Sequence, residues 1–199
     1  MEISSKKLLP ISTAAVFLLI AGNALPGTPR PATDSVPSDE HHLRLYHTHT
    51  GERIDIVYRR GDEYIPEAEA ELDHFLRDHR TGAVKHYDPR LFDLLSDLAV
   101  AVGHPNAEIE IICGYRSPWS NEFLRARSSG VAKNSLHMQA HAIDIRLPGV
   151  DTLVLRNAAL ELGRGGVGYY PRSGFVHVDT GRVRNWCYGC ARDPRRQED

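Results

Sequence analysis

Apolar and polar positions alternate in several short stretches of the chain. Leu43-Arg44-Leu45-Tyr46 and Ile54-Asp55-Ile56-Val57-Tyr58 read with a period of two, and Thr50-Gly51-Glu52 lies between them. That pattern predicts a β-hairpin. Glu108 and Glu110 alternate with Ile109 and Ile111, which predicts a strand over 107–113. Two more stretches carry chemistry within the alternation: Ala142-Ile143-Asp144-Ile145 and Phe175-Val176-His177-Val178-Asp179. Alternate residues of a strand share a face. Ile143 and Ile145 therefore point one way, and Ala142, Asp144 and Arg146 the other. By the same rule Phe175, His177 and Asp179 share a face opposite Val176 and Val178.

Helical periodicity appears elsewhere. Ala68, Leu72, Phe75 and Leu76 predict a helix over 66–80, with Pro66 in its first turn. A second begins at Asp88-Pro89, with Asp88 as cap and Pro89 at the first helical position. Leu91, Leu94, Leu95, Leu98 and Val102 form its apolar stripe, and Gly103 ends it. Ser120 is the expected cap of a short helix through Asn121, Phe123 and Leu124. Asp151 caps a further helix carrying Leu153, Leu155, Ala158, Ala159 and Leu162, and Gly163 stops it. The glycine-rich run 165–170 lacks the strand-to-helix setting and the lysine of a phosphate loop, which excludes nucleotide binding. It reads as a sheet edge whose glycines let a peptide substrate approach the backbone. The sum is an α+β fold, a small and mainly antiparallel sheet with helices packed against it.

Composition changes this picture mostly at the ends. Residues 1–24 carry Lys6 and Lys7, an apolar stretch too short for a spanning helix of ~20 residues, and the small residues Gly22-Asn23-Ala24. They read as a signal peptide or N-terminal anchor, and the protein as exported to the periplasm or cell envelope. Membrane contact is expected only through that segment if it stays uncleaved. Residues 25–40, rich in Pro, Thr, Ser and Gly, read as a flexible linker. A domain over 41–186 and a tail over 187–199 follow. A formal net charge of −2 offers no electrostatic case for nucleic acid. Of the three cysteines, Cys187 and Cys190 form a C-Y-G-C pair, half a zinc knuckle at best, so a small disulfide stapling the tail is the expectation. Cys113 reads as a buried thiol. His41, His42, His47 and His49 cluster in sequence, a candidate for adventitious metal only.

An Asp flanked by strand-core residues is at least partly buried, and a buried carboxylate is costly unless paired, hydrogen-bonded or metal-bound. His137 lies in a Ser/Asn-rich turn just before it, delivered by a polar loop over 128–135. His137, Asp144 and His177 together offer two imidazoles and one carboxylate. That set suits one zinc ion with a fourth position open to water.

The pattern S-x-H-x-x-x-x-x-x-D at 135–144, followed by F-V-H-V-D-T-G at 175–181, resembles the zinc peptidases that cut bacterial cell-wall peptides. That superfamily includes D-alanyl-D-alanine peptidases, lysostaphin-like endopeptidases and the hedgehog signalling domain. Within it the chain looks most like the murein endopeptidase K group, over roughly 43–186. G-Y-R-S at 114–117 and D-P-R-L-F-D-L-L at 88–95 match as well. The resemblance implies a hedgehog/D-Ala-D-Ala-peptidase-like fold, one zinc held by His137, Asp144 and His177, and peptidoglycan peptides as substrate. It also implies that Arg116 supplies positive charge to the developing oxyanion. Relatives carry a His or Glu shortly before the last zinc histidine, whereas Phe175 stands two before His177 here. Asp179 is the best remaining carboxylate, either as general base or as the acceptor that orients a ligand histidine. His141 falls on the opposite strand face. Ala140 stands where relatives frequently have Gly, which strains the chain if that position needs positive φ. The expected activity is zinc-dependent hydrolysis of murein cross-links. A carboxypeptidase trimming a terminal D-residue and a non-catalytic zinc-containing binding module stay open as alternatives.

Overall fold

The computed structural model describes residues 39–190. The export segment over 1–24, the linker but for its last two residues, and the tail beyond 190 lie outside the described residues. Glu40, read as the end of the linker, opens the first strand.

The strands are β1 (Glu40–His47), β2 (Arg53–Arg60), β3 (Glu63–Tyr64), β4 (Glu108–Cys113), β5 (Ala142–Arg146), β6 (Gly166–Tyr170), β7 (Phe175–Asp179) and β8 (Arg184–Cys187). They form one eight-stranded sheet in the order β3-β2-β1-β4-β5-β7-β6-β8. β1 runs parallel to β4 and β6 parallel to β8, and the other pairings are antiparallel. The helices are α1 (Pro66–Phe75), α2 (Arg90–Ala101), α3 (Pro118–Arg125) and α4 (Thr152–Leu162). The fold is α+β with a mostly antiparallel sheet. It is wider than the small sheet expected, because the chain past 180 adds β8.

The period-two pattern sets which face of the sheet does what. Ile143 pairs with Val178, Ile145 with Val176, and Asp144 with His177. Residues directly opposite across a ladder share a face. Ile111, Ile143, Ile145, Val176 and Val178 are buried in one cluster with Leu72, Leu91, Leu95 and Leu155 from three of the helices. Each such side chain contributes about 1.5–3 kcal/mol by leaving water. Asp144, His177 and Asp179 take the other face. A one-residue slip would exchange the two sets.

A β-bulge then re-aims the end of β4. Ile111 pairs with Ile145, but Cys113, two residues on, pairs with Asp144, one residue back. The extra residue bends the strand, as bulges near functional sites commonly do. It brings Cys113 onto the face of Asp144 and steers G-Y-R-S toward it. Gly114 is required there because a Cβ would stand 2.5 Å from the Leu76 carbonyl oxygen.

Several local expectations need correction. α1 stops at Phe75 and not at 80, because Asp78 leaves the helical path and accepts hydrogen bonds from the backbone N–H of Arg80 and Ser117 at 2.9 and 2.8 Å. α3 is capped by Ser117, whose hydroxyl accepts from the N–H of Ser120 at 3.2 Å, so Ser120 is inside the helix rather than its cap. α2 opens at Arg90, with Pro89 and not Asp88 at the N-cap position, and Asp88, one residue earlier, accepts from the N–H of Arg90 at 3.1 Å. Asp151 caps α4 through the N–H of Leu153, and Gly163 ends it at φ 64°. The glycine-rich run is not an edge. β6 lies between β7 and β8, and its glycines admit the protein's own side chains: a Cβ at Gly168 would stand 2.5 Å from the Trp186 ring.

Candidate metal centre

His137 reaches the sheet from a one-turn 3-10 helix, Leu136–Gln139, capped by the Ser135 hydroxyl. The turn closes on Ala140, whose backbone is left-handed at φ 57° and ψ 38°. The sequence left open whether this position needs positive φ; it has it, and an alanine occupies it.

His137 Nδ1 donates to the Gly114 carbonyl oxygen at 2.8 Å. That leaves Nε2 without a proton in the neutral ring, facing inward. His177 is oriented from its other side: Nε2 donates to Asp179 Oδ2 at 3.1 Å, leaving Nδ1 bare. His137 Nε2 and His177 Nδ1 lie 3.1 Å apart, and Asp144 Oδ1 lies 3.2 Å from the first and 2.8 Å from the second. Three lone-pair atoms thus converge on one point. All three residues are buried, though each borders a recess. Three acceptors at this spacing repel unless a proton or a metal ion sits among them. Tetrahedral metal bonds of about 2.0–2.1 Å place neighbouring ligand atoms roughly 3.3 Å apart. Two edges of the triangle, at 3.1 and 3.2 Å, are near that spacing, and the His177–Asp144 edge at 2.8 Å would open slightly around an ion.

The electrostatics follow from burial and these partners. Burial lowers the His137 pKa to about 4, with Arg116 adding to the effect. Burial alone would lower His177 too, but hydrogen bonds to Asp144 and Asp179 carry it above its usual value. Burial opposes the Asp144 charge, yet His137 and His177 hold its carboxyl well below the usual carboxylate range. Arg116, itself buried, donates from Nη2 to Asp144 Oδ2 at 3.2 Å and from Nε to Cys113 Sγ at 3.2 Å. Asp144 therefore divides its oxygens, Oδ1 toward the imidazoles and Oδ2 toward the guanidinium.

Cys113 Sγ, His137 and Asp144 also present donor atoms within 4.8 Å of one another. Burial pushes the Cys113 thiol up, which keeps it protonated. A protonated thiol is a poor ligand, so the set completed by His177 is the better match. Two recesses adjoin it. One, of about 250 Å³, is lined by Asp144, Arg116, Cys113, His49, His79 and Tyr188 among others; the second, of about 110 Å³, by His137, His177, Arg184 and Trp186. They share Arg116, Tyr170, Gly130 and Val131.

A family model described as peptidoglycan L,D-endopeptidase MepK matches residues 35–186, three quarters of the chain. This chain belongs to the MepK family. The proteins named peptidoglycan L,D-endopeptidase MepK in Escherichia coli and Shigella flexneri are each 43% identical to it over 185 residues, 93% of this chain and 98% of theirs. The Haemophilus influenzae protein named probable peptidoglycan L,D-endopeptidase MepK is 39% identical over 186 residues, 92% of this chain and 95% of its own. As a MepK-family member the chain is a peptidase. The family match stops at Trp186, before the C-Y-G-C pair.

Of the residues singled out in this MepK-family sequence, His137, Asp144, His177 and Arg116 meet at the centre. Asp179 stands behind His177, on the ring edge away from Asp144. It is fully buried, and its oxygens accept from the N–H groups of Gly166 and Gly181 at 2.9 Å and from Arg184 at 2.8 and 3.1 Å, besides His177. His141 lies outside the centre, with Nδ1 3.8 Å from Asp88. The four early histidines do not gather as one set: His41 contacts Arg59 and His42 pairs with Asp55, while His47, buried against Phe75, lies 6.1 Å from His49, which stacks on His79. Cys187 and Cys190 form a disulfide, and Cys113 is free and buried. Sequence reasoning missed three supports. The Gly114 carbonyl had no signal at all. Arg184 and Trp186 sit at the end of the family match, where an alternating R-N-W-C run could have been read as a strand.

Proposed function

We propose that this chain is a zinc-dependent murein endopeptidase that hydrolyses L,D peptide cross-links of the bacterial wall, after export by a segment over 1–24. The observation that carries this reading is the convergence of His137 Nε2, Asp144 Oδ1 and His177 Nδ1, each bared by a hydrogen bond or charge on its far side. The printed names of the relatives support the cross-link class. The mixed sheet with three helices packed on one face supports a hedgehog/D-alanyl-D-alanine-peptidase-like fold for 41–186.

His137, Asp144 and His177 hold the ion. Zinc, when bound, supplies a Lewis acid that acidifies a water and polarises the scissile carbonyl. The Gly114 carbonyl and Asp179 fix the two imidazole tautomers, a role that raises ligand basicity. Asp179 suits this role better than that of general base, because its acceptor sites are taken and it faces away from the cleft. Arg116 lies beside Asp144 on the cleft wall, ready to offset negative charge on the carbonyl oxygen. The printed names of the relatives favour an endopeptidase over a carboxypeptidase.

The test is digestion of purified sacculi and of cross-linked muropeptide dimers, read by product mass, with metal analysis of the same protein. Zinc-dependent release of monomers from dimers supports the proposal. Loss of one terminal residue from uncross-linked stems would favour the carboxypeptidase. Binding without cleavage by folded, zinc-loaded protein would leave the binding module. His137→Ala and His177→Ala are expected to lose metal and activity together.

A further inference from the structure

The chain continues past the family match, and its next four residues build part of the cleft. β8 brings Trp186 against the metal centre: its indole N–H donates to the Tyr170 hydroxyl at 3.1 Å, and its ring lies 5.1 Å from that of His177. Cys187 ends the strand opposite Tyr169, and the N–H of Tyr188 donates to the Tyr169 carbonyl at 2.9 Å. Gly189 then turns the chain back at φ +87°, a conformation costly for other residues. Cys190 thereby reaches Cys187 and closes the disulfide. The bond spans a separation of only three residues, so its effect on the entropy of the unfolded chain is small beside that of long-loop disulfides. It acts as a local clamp.

What the clamp holds is Tyr188. Its ring lies on Gly130, where a Cβ would stand 3.0 Å from Cε2 and Cζ. Its hydroxyl is 3.2 Å from Ser129 Oγ. Its ring stands 5.8 Å from that of Tyr170. The ring is 43% exposed, and the exposed part lines the recess that also contains Asp144 and Arg116. A rigid aromatic side chain, held on both flanks and half open to a peptide cleft, supplies contact area at low entropic cost.

We propose that the disulfide-closed turn over 187–190 is a specificity strap, which holds Tyr188 as the outer wall of the substrate cleft so that the cross-linked peptide packs on its ring. This rests on the murein peptidase reading of the same site. Tyr188 contacts the part of the peptide remote from the scissile bond. The disulfide and Gly189 are positioning elements that act through Tyr188. The strap predicts selectivity for long, cross-linked substrates over short ones, because a short peptide ends before it reaches the ring.

The experiment compares wild type with Tyr188→Ala, Tyr188→Phe and the Cys187→Ser/Cys190→Ser double variant. Each is assayed on a cross-linked muropeptide dimer and on a minimal peptide carrying only the scissile bond. Zinc content and melting curves are measured on every protein. Tyr188→Ala is expected to raise KM for the dimer roughly five- to tenfold, the loss of one aromatic contact. The kcat for the dimer and all constants for the minimal peptide are expected to hold. Tyr188→Phe keeps the ring and stays near wild type. The double variant, or wild type treated with a dithiol reductant, moves toward Tyr188→Ala while retaining zinc. Unchanged KM for the dimer in Tyr188→Ala would overturn the strap, and equal losses on both substrates would mark a structural defect and overturn it too. If wild type cuts neither substrate, the proposed function fails first. The uncut dimer then serves as ligand, and calorimetric binding equal in wild type and Tyr188→Ala would sink the strap as well.

Discussion

His177 Nε2 donates to Asp179 Oδ2 at 3.1 Å, and by that contact turns Nδ1 toward Asp144 and His137. The two residues lie one pleat apart on β7, so the same strand face carries both the proposed ligand and the group that orients it. Asp179 is in turn held by two backbone N–H groups and the Arg184 guanidinium. The arrangement fixes the ring, its tautomer and its basicity before any ion arrives.

Asp179→Ala is therefore expected to weaken zinc binding by about 10- to 100-fold. Competition with a chromophoric chelator measures it. Asp179→Asn keeps an acceptor oxygen for the imidazole N–H but loses the charge, so it is expected to fall between wild type and Asp179→Ala. Intact zinc affinity with collapsed kcat in Asp179→Ala would instead make Asp179 the general base.

The second prediction concerns the turn before β5. Ala140 has φ 57° and is buried, with its N–H on the His137 carbonyl and its own carbonyl on the Asp88 N–H. The left-handed region costs a non-glycine residue roughly 1–2 kcal/mol, while glycine carries an entropic penalty of about 0.5–1 kcal/mol. Ala140→Gly is thus expected to raise stability by up to about 1 kcal/mol, or ~2–4 °C in Tm for a domain of this size. Ala140→Val, β-branched in the same conformation, is expected to cost more than about 2 kcal/mol. Thermal melts of both variants measure the order. A Tm for Ala140→Val at or above wild type would show that the turn carries no strain.

These residues also mark how much could be read from the chain. The faces of β5 and β7 were legible because a period of two needs no tertiary information, so Asp144 and His177 fell on one side by counting alone. The left-handed turn at 140 was legible only as a question, since φ follows from hydrogen bonds to Asp88 and His137 rather than from the residue type. The Gly114 contact with His137 was hidden, because it depends on the bulge after Ile111, and a bulge adds a residue without changing the apolar pattern. The glycines of β6 were misread for a similar reason. Their neighbours, Trp186 and Asp179, lie 13 or more residues away in sequence, and no local rule reports what packs on a glycine. Asp78 likewise drew the chain out of α1 through a partner, Ser117, 39 residues on.

A third prediction follows from His47, which is fully buried on the helix-covered face. Its Nδ1 accepts from the N–H groups of His49 and Thr50 at 3.2 and 3.4 Å, so the neutral ring keeps its proton on Nε2, which has no partner. Burial lowers its pKa to about 4, and His49 adds to the shift. The unfolded chain takes up this proton near pH 6.5. Between those values the unfolded state binds a proton that the folded state refuses, so stability rises with pH across the window. The contribution is complete above about pH 6.5 and is lost as the pH falls toward 4. His79, also lowered to about 4 by burial, adds in the same direction. Urea unfolding at pH 7, 5.5 and 4.5 is expected to show a steady fall for wild type and a shallower one for His47→Asn, which offers a carbonyl oxygen in place of Nδ1 and does not titrate. Equal slopes would remove His47 from the acid response.

The last prediction separates holding the ion from using it. Arg116 donates to Asp144 Oδ2, whereas Oδ1 is the oxygen that meets the two imidazoles. Removing the guanidinium therefore leaves the converging atoms and both imidazole anchors in place. It takes away the one cation that, among the described residues, is shared by the two recesses, and that also contacts Asp144, the proposed metal-binding carboxylate. A donor aimed at a developing oxyanion is worth about 10²–10³ in kcat. Arg116→Ala is expected to retain zinc, to leave KM for a cross-linked dimer within a few fold, and to lose kcat on that scale. Arg116→Lys keeps a positive charge but cannot contact Cys113 and Asp144 together through a planar fork, so it is expected to recover only part of the loss. Steady-state kinetics with metal analysis of each protein provides the measurement. Loss of zinc in step with activity would reassign Arg116 to building the centre, and a kcat unchanged in Arg116→Ala would place the oxyanion charge elsewhere.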